Sequence, residues 1–177
     1  MLSAALTVSS VQAGIIDSVK SAYNFVVEDM KAIIDKHDYD IYVTLYAWHN
    51  RLTYDRRHLK RYNEKALGFG VGISHTRENG DWSGFHALGF MDSHNKFETY
   101  FGYVYQWNWT FGDEKQWRAG IGYTMGLTQR HEYNYIPLPL VLPLFGVGYR
   151  GFNLQAAYVP GGTNDGNVLF VFARYQF

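Results

Sequence analysis

The sequence predicts an all-β fold: an eight-stranded antiparallel transmembrane β-barrel preceded by an N-terminal amphipathic α-helix. Three observations carry this expectation. From residue 38 to the last residue, apolar side chains alternate with a period of two over eight runs bounded by turn residues. The opposite face of those runs is Gly, Ser, Thr, Asn and Gln rather than charge, which suits a lumen better than a water-facing surface. No run of about eighteen apolar residues exists, so a membrane would be crossed by strands and not by a helix.

Composition narrows the function classes. Sixteen basic and sixteen acidic residues cancel over 177 positions, so no basic footprint argues for nucleic acid. The chain has no cysteine, which removes disulfides, thiolate metal sites and a cysteine nucleophile. No histidine pair has metal-ligand spacing, and neither a metal nor a cofactor is expected.

Residues 1–13 are short and apolar and end in a small-x-small pattern at Val11 and Ala13, as secretory signals do. They are read as a signal segment, although its usual basic start is missing. Over 14–37 the apolar residues Ile16, Val19, Tyr23, Val26, Met30 and Ile33 recur at helical spacing, with Asp17, Lys20, Asn24, Glu28 and Asp29 filling the other face. Beside a membrane barrel, such a helix lies in the headgroup region.

Residues 38–177 form the barrel, with strands expected near 39–49, 66–76, 82–91, 97–108, 116–129, 139–149, 152–159 and 167–177. Phe69, Val71 and Ile73 alternate with glycine and serine, and Trp117, Ala119, Ile121, Tyr123, Met125 and Leu127 with Arg, Gly and Thr. Trp48, Trp82, Trp107, Trp109, Trp117 and Tyr149 crowd strand ends as interfacial girdles do. The final alternation through Tyr175 to Phe177 looks like the closing strand of bacterial outer-membrane barrels. Asn79-Gly80 and Arg150-Gly151 read as tight hairpins on the side of the termini, and the longer loops 50–65, 92–96, 130–135 and 160–166 fall on the other side. His49, Asp92 and Ser93 therefore converge on the outer rim. Inward parity falls on Gly68, Gly70, Gly72, Gly102, Gly120, Gly122 and Gly126, which predicts room inside the lumen for a hydrocarbon chain.

Tyr46-Ala47-Trp48-His49, Tyr62-Asn63-Glu64, Asp92-Ser93-His94-Asn95-Lys96, the run Tyr133 to Pro139 and Gly166-Asn167-Val168 carry a family likeness. In order and spacing they resemble the PagP lipid A palmitoyltransferases, from about Asp38 to Phe177. The resemblance implies a monomeric enzyme of the bacterial outer membrane that moves palmitate from the sn-1 position of a phospholipid donor to a lipid A acceptor. It also implies that His49, Asp92 and Ser93 are catalytic. Acyl transfer needs a base for the attacking hydroxyl, a group that orients the base, and support for the oxyanion. His49 is then the base and Asp92 its partner, while Ser93 is a nucleophile or a stabiliser. The basic loop residues Arg51, Arg56, Arg57, Lys60 and Arg61 face lipid A phosphates or only solvent.

Two positions depart from the family pattern. The inward glycine that floors the family's acyl-chain pocket is replaced by Val104, next to Gly102 on the same face, which predicts an acyl chain shorter than palmitate. Of the two proline-weakened gaps in the wall, the one marked by Pro143 and Pro160 is retained, and Thr44 and Ala66 stand at the other. The competing readings are a lipid A deacylase-like hydrolase, a non-catalytic structural or adhesive barrel, and a soluble fatty-acid-binding barrel.

Overall fold

The computed structural model describes residues 2–177, with side chains from residue 16 onward, so the expected signal segment 1–13 lies outside the described side chains. Helix α1 (Leu2–Asp35) leads into β1 (Asp38–His49), and a single helical turn, α2 (Arg56–Leu59), sits in the loop that follows. The remaining strands are β2 (Gly68–Thr76), β3 (Trp82–Met91), β4 (Phe97–Phe111), β5 (Trp117–Gln129), β6 (Leu138–Tyr149), β7 (Phe152–Val159) and β8 (Val168–Gln176). Each pairs antiparallel with the next, and β8 returns to β1 to close the barrel. Closure matters because hydrocarbon offers no partner to an unpaired N–H or C=O.

Two expected boundaries move by more than one residue. β2 starts at Gly68 because Ala66 turns away, its N–H bonded to Glu64 O at 3.0 Å. β4 runs on to Phe111 because residues 108–111 pair with 117–120 of β5.

The outer wall exposes Phe69, Val71, Phe101, Ile121, Val141 and Val147, a surface suited to lipid. Trp82, expected in a girdle, lies instead inside the lumen, 1% exposed, with the Arg174 guanidinium 3.9 Å above its ring. Arg174 also pairs with buried Asp40 at 2.9 Å. Gln155 donates to Gln106 Oε1 at 2.7 Å across the same level. The half of the lumen nearest the termini is thus a polar plug, and several inward glycines exist to admit it. A Cβ on Gly120 would strike Asn108 Oδ1 and stand 2.7 Å from the Gln106 amide. The expectation that inward glycine means empty space fails here because neighbouring side chains lie across the glycines.

α1 packs on the outside of the barrel. Ile33 is buried against Tyr103 and Tyr105, with Met30 beside them, and Phe25 meets the Tyr105 ring edge-on at 5.5 Å. Asp29, which the helical pattern assigned to the polar face, is 1% exposed. It accepts hydrogen bonds from Arg77, Tyr103 and, at 2.8 Å, Ser83. Asp29→Ala strands these donors under the helix and is expected to destabilise the folded barrel by about 3 kcal/mol, the scale of breaking a buried ion pair. A lower urea midpoint at unchanged slope in detergent checks this.

Candidate active site

The inward position of His49 depends on an irregularity in β1. Asp40, Tyr42 and Thr44 are buried in the lumen on even positions, whereas Ala47 and His49 are buried on odd ones. The switch falls at Leu45, where the register against β8 jumps from Thr44–Phe172 to Tyr46–Val171. One extra residue on β1 forms a β-bulge, and a one-residue slip exchanges the two faces of a strand. Without it His49 would point to lipid.

Ser93 arrives from the opposite side on the β3–β4 turn. Asp92 Oδ1 accepts the backbone N–H groups of His94 and Lys96, both at 2.8 Å, and Asn95 completes the turn with a φ of 58°. Such local bonds are what favours Asp and Asn in turns. Asn63 N–H donates to Ser93 O at 2.8 Å, tying this turn to the loop after β1. The outcome is a hydrogen bond of 3.1 Å between Ser93 Oγ and His49 Nε2. His49 is 2% exposed and stacks on Tyr62, ring centroids 4.8 Å apart, with Tyr54 edge-on at 5.0 Å.

The carboxylate at His49 is not Asp92. Asp92 is spent on its own turn through Oδ1, and its buried Oδ2 has no hydrogen-bond partner. Glu64 Oε1 stands 3.2 Å from His49 Nδ1 and accepts the His49 backbone N–H at 3.0 Å. Its two oxygens also accept the Arg51 Nη1 and Nη2 groups end on, each at 2.6 Å, and Oε2 accepts the Tyr46 hydroxyl. Glu64 lies in the Tyr62-Asn63-Glu64 motif, but its spacing gives no sign that it meets His49, because fourteen residues separate the two and only folding brings them together.

Below this rim lies a cavity of about 360 Å³. His49, Asp92 and Ser93 stand at its mouth, and Ala47, Leu88, Phe90, Leu142, Phe170 and Phe172 form much of its wall. Its lower end is set by Tyr100, Thr124 and His86. The Tyr100 hydroxyl lies 2.8 Å from Thr124 Oγ1, which itself donates to Tyr103 O at 3.1 Å. The Tyr100 ring lies across Gly102, where an added Cβ would collide with it. Val104 is inward and 1% exposed and stands opposite Thr124 in the β4–β5 register, but it does not border the cavity, nor does Gly102. The cavity thus ends on Tyr100, Thr124 and His86 and not on the expected Val104 side chain, because sequence parity reports which way a residue points and not whose ring covers it.

The ladder breaks at the gap expected from Pro143 and Pro160, and also at the one where Thr44 and Ala66 stand in place of the family's prolines. β6 pairs with β7 only from Leu144–Ala157 toward the termini, leaving 138–143 without β7 partners. Pro143 and Pro160 flank this break, and Leu140, Leu142, Ala157, Val159 and Pro160 on its edges border the cavity. The β1–β2 ladder stops at Thr44–Gly68. There the gap is bridged: Thr44 Oγ1 donates to Ala66 O at 2.5 Å, and Ala47 N–H donates to Glu64 O at 2.8 Å.

The fold and site together define a class: a closed barrel with a lipid-suited wall, and a serine–histidine pair over a hydrocarbon-lined cavity. A family model described as "Antimicrobial peptide resistance and lipid A acylation protein PagP" matches residues 29–174, and the chain belongs to this family. It is 44% identical over 138 residues to the lipid A acyltransferase PagP of Pantoea ananatis (strain LMG 20103), covering 78% of this chain and 73% of that one. It is 45% identical over 138 residues to the protein of the same name from Serratia proteamaculans (strain 568), covering 78% and 70%. With that of Erwinia tasmaniensis (strain DSM 17950) it shares 43% over 143 residues, covering 81% and 76%.

Burial alone would raise the Glu64 pKa. Hydrogen bonds from Arg51, Tyr46 and His49 outweigh it and hold the carboxyl at about 2, below its ordinary 4.5. A folded pKa lower than the unfolded one gives stability that is complete above pH 4.5 and is lost as pH falls toward about 2. Over that window the loop 50–65 is expected to loosen from β1. Hydrogen exchange of the Ala47 and His49 amides, corrected for intrinsic rate, checks it, and Glu64→Gln removes the acid dependence.

Proposed function

We propose that the protein transfers a fatty acyl chain from a phospholipid to lipid A in the bacterial outer membrane, acting as a monomer. The observation that carries this reading is the Ser93–His49 hydrogen bond at the mouth of a cavity walled by hydrocarbon. A hydroxyl held on an imidazole is the arrangement acyl transfer requires, since the base must lie within hydrogen-bond reach of the proton it takes. The lipid A acceptor rests on family membership and on the relatives named lipid A acyltransferase.

The donor is a membrane lipid because the cavity wall is open sideways. The unpaired stretch between β6 and β7, with Pro143 and Pro160 at its ends, admits an acyl chain from the surrounding leaflet without crossing the polar rim. The bridged gap between β1 and β2 is the poorer route. With the chain in the lumen, the ester lies at the rim. His49 Nε2 takes the proton of the attacking hydroxyl, the carbonyl carbon exchanges the glycerol oxygen for the new one, and the proton passes to the departing glycerol oxygen. Asp92 holds Ser93 at this point through the turn it caps. α1 lies in the headgroup region, where its exposed Ile16, Val19 and Tyr23 meet lipid.

Purified protein given labelled phospholipid and lipid A is expected to yield lipid A heavier by one acyl chain. His49→Ala and Ser93→Ala each reduce the rate by about 10²- to 10⁴-fold. Full activity in His49→Ala refutes the mechanism. Lipid A lighter by one chain assigns the same site to a hydrolase with water as acceptor.

The length of the accepted chain follows from the lower end of the cavity. Tyr100, laid over Gly102 and bonded to Thr124, stops the chain before it reaches Val104. Tyr100→Leu is expected to admit longer chains. Tyr100→Phe, which keeps the ring, and Val104→Gly, which does not border the cavity, leave the chain length unchanged. Mass spectrometry of lipid A formed from mixed-chain phospholipids reads all three, and lengthening by Val104→Gly alone returns the floor to Val104.

A further inference from the structure

We infer that Glu64 is the positioning carboxylate of the site, holding His49 in the tautomer that leaves Nε2 free to accept the proton of Ser93. This rests on the acyl-transfer reading above, and the catalytic residues implied by resemblance do not include it. The chain of contacts runs Ser93 Oγ to His49 Nε2 at 3.1 Å, then His49 Nδ1 to Glu64 Oε1 at 3.2 Å. A neutral imidazole carries one N–H. Glu64 is ionised near neutral pH and accepts only, so Nδ1 must carry the proton and Nε2 the lone pair. This is the tautomer a base needs when the hydroxyl lies on Nε2.

Glu64 is built to do this and is not a passing contact. Oε1 receives the His49 backbone and ring together, so one oxygen fixes both the main chain and the imidazole. The Arg51 fork and the Tyr46 hydroxyl lock the carboxylate plane. Tyr62 stacks on the ring from the same loop and resists its rotation. Asp92, the other acid at the mouth, is committed to its turn.

Glu64→Gln is isosteric and tests the idea. Its amide either offers a donor to Nδ1, which favours the opposite tautomer, or a neutral acceptor without charge. The expected result is a fall in kcat of roughly 10²- to 10⁴-fold with little change in KM for the phospholipid. The acid limb of the pH–rate profile moves to lower pH, because a charge that favours the protonated ring is gone. Other charged or titratable groups around His49 are unchanged: Arg51, Tyr54 and Tyr62 on its own loop, Asp92 and His94 on the opposite turn, and Glu98 with Arg130 across the mouth. Glu64→Asp is expected to recover part of the rate.

A role confined to loop packing predicts a rate loss with the acid limb unmoved, and that outcome overturns the proposal, as does wild-type kcat in Glu64→Gln. Nitrogen NMR of the His49 ring in detergent micelles reads the tautomer without turnover: Nδ1–H in the wild type, and a shifted population in Glu64→Gln. A wild-type ring protonated at Nε2 also overturns it. Should the wild type fail to acylate lipid A, the functional reading falls while the ring measurement still decides the role of Glu64.

Discussion

Closure of the backbone ladder is the constraint on which everything else in this molecule depends. A strand in hydrocarbon must give both edges to neighbours, and eight antiparallel strands do so by returning β8 to β1. The functional features sit where that rule is relaxed, all in the half of the barrel away from the termini. The bulge at Leu45 turns His49 inward. The shortened β1–β2 ladder leaves edge groups that Thr44 and the Glu64 backbone satisfy. The shortened β6–β7 ladder is flanked by prolines, which carry no N–H to leave unpaired. At the β1–β2 break the freed polar groups are answered locally by Thr44 and Ala47.

The two breaks differ in chemistry although they look alike in the ladder. Between β1 and β2 the replacement bonds fasten the loop to the wall, and Glu64 makes both the backbone bridge and the contact to His49. Wall repair and site assembly are therefore the same set of bonds. Between β6 and β7 the edge residues Leu140, Leu142, Ala157 and Val159 are apolar and border the cavity directly. One opening is stapled shut by the residues that orient the base. The other is left as an apolar slot.

The architecture was legible from the sequence because it rests on period and turn chemistry, both local. Alternation located all eight strands, with shifts of more than one residue only where Ala66 turned out of β2 and β4 ran on to Phe111. Asp92 and Asn95 are turn formers, and the structure shows their turn carrying Ser93 to His49. What escaped were facts that need a third dimension. Parity put Val104 inward, but only the path of the Tyr100 ring across Gly102 reveals which residue ends the cavity. Helical spacing placed Asp29 on the polar face, and Arg77, Ser83 and Tyr103 are what make it a docking point. Strand parity would even have misdirected His49, since an unbulged β1 faces it outward.

The polar plug below the cavity follows from the same logic. A lumen open from end to end would let water reach the cavity from the side of the termini, and a wet pocket loses the hydrophobic driving force for holding an acyl chain. Filling the lower half with hydrocarbon would demand bulky inward side chains, and the glycines show that the curved wall leaves little depth for them. Side chains that lie flat across glycines solve both problems when their polar groups bond to each other, as Arg174 with Asp40 and Gln106 with Gln155 do. The boundary between plug and cavity is then the layer of Tyr100, Thr124 and His86, where side chains with an apolar body and a polar tip face both ways. The depth of the cavity and its separation from the plug are set by one layer.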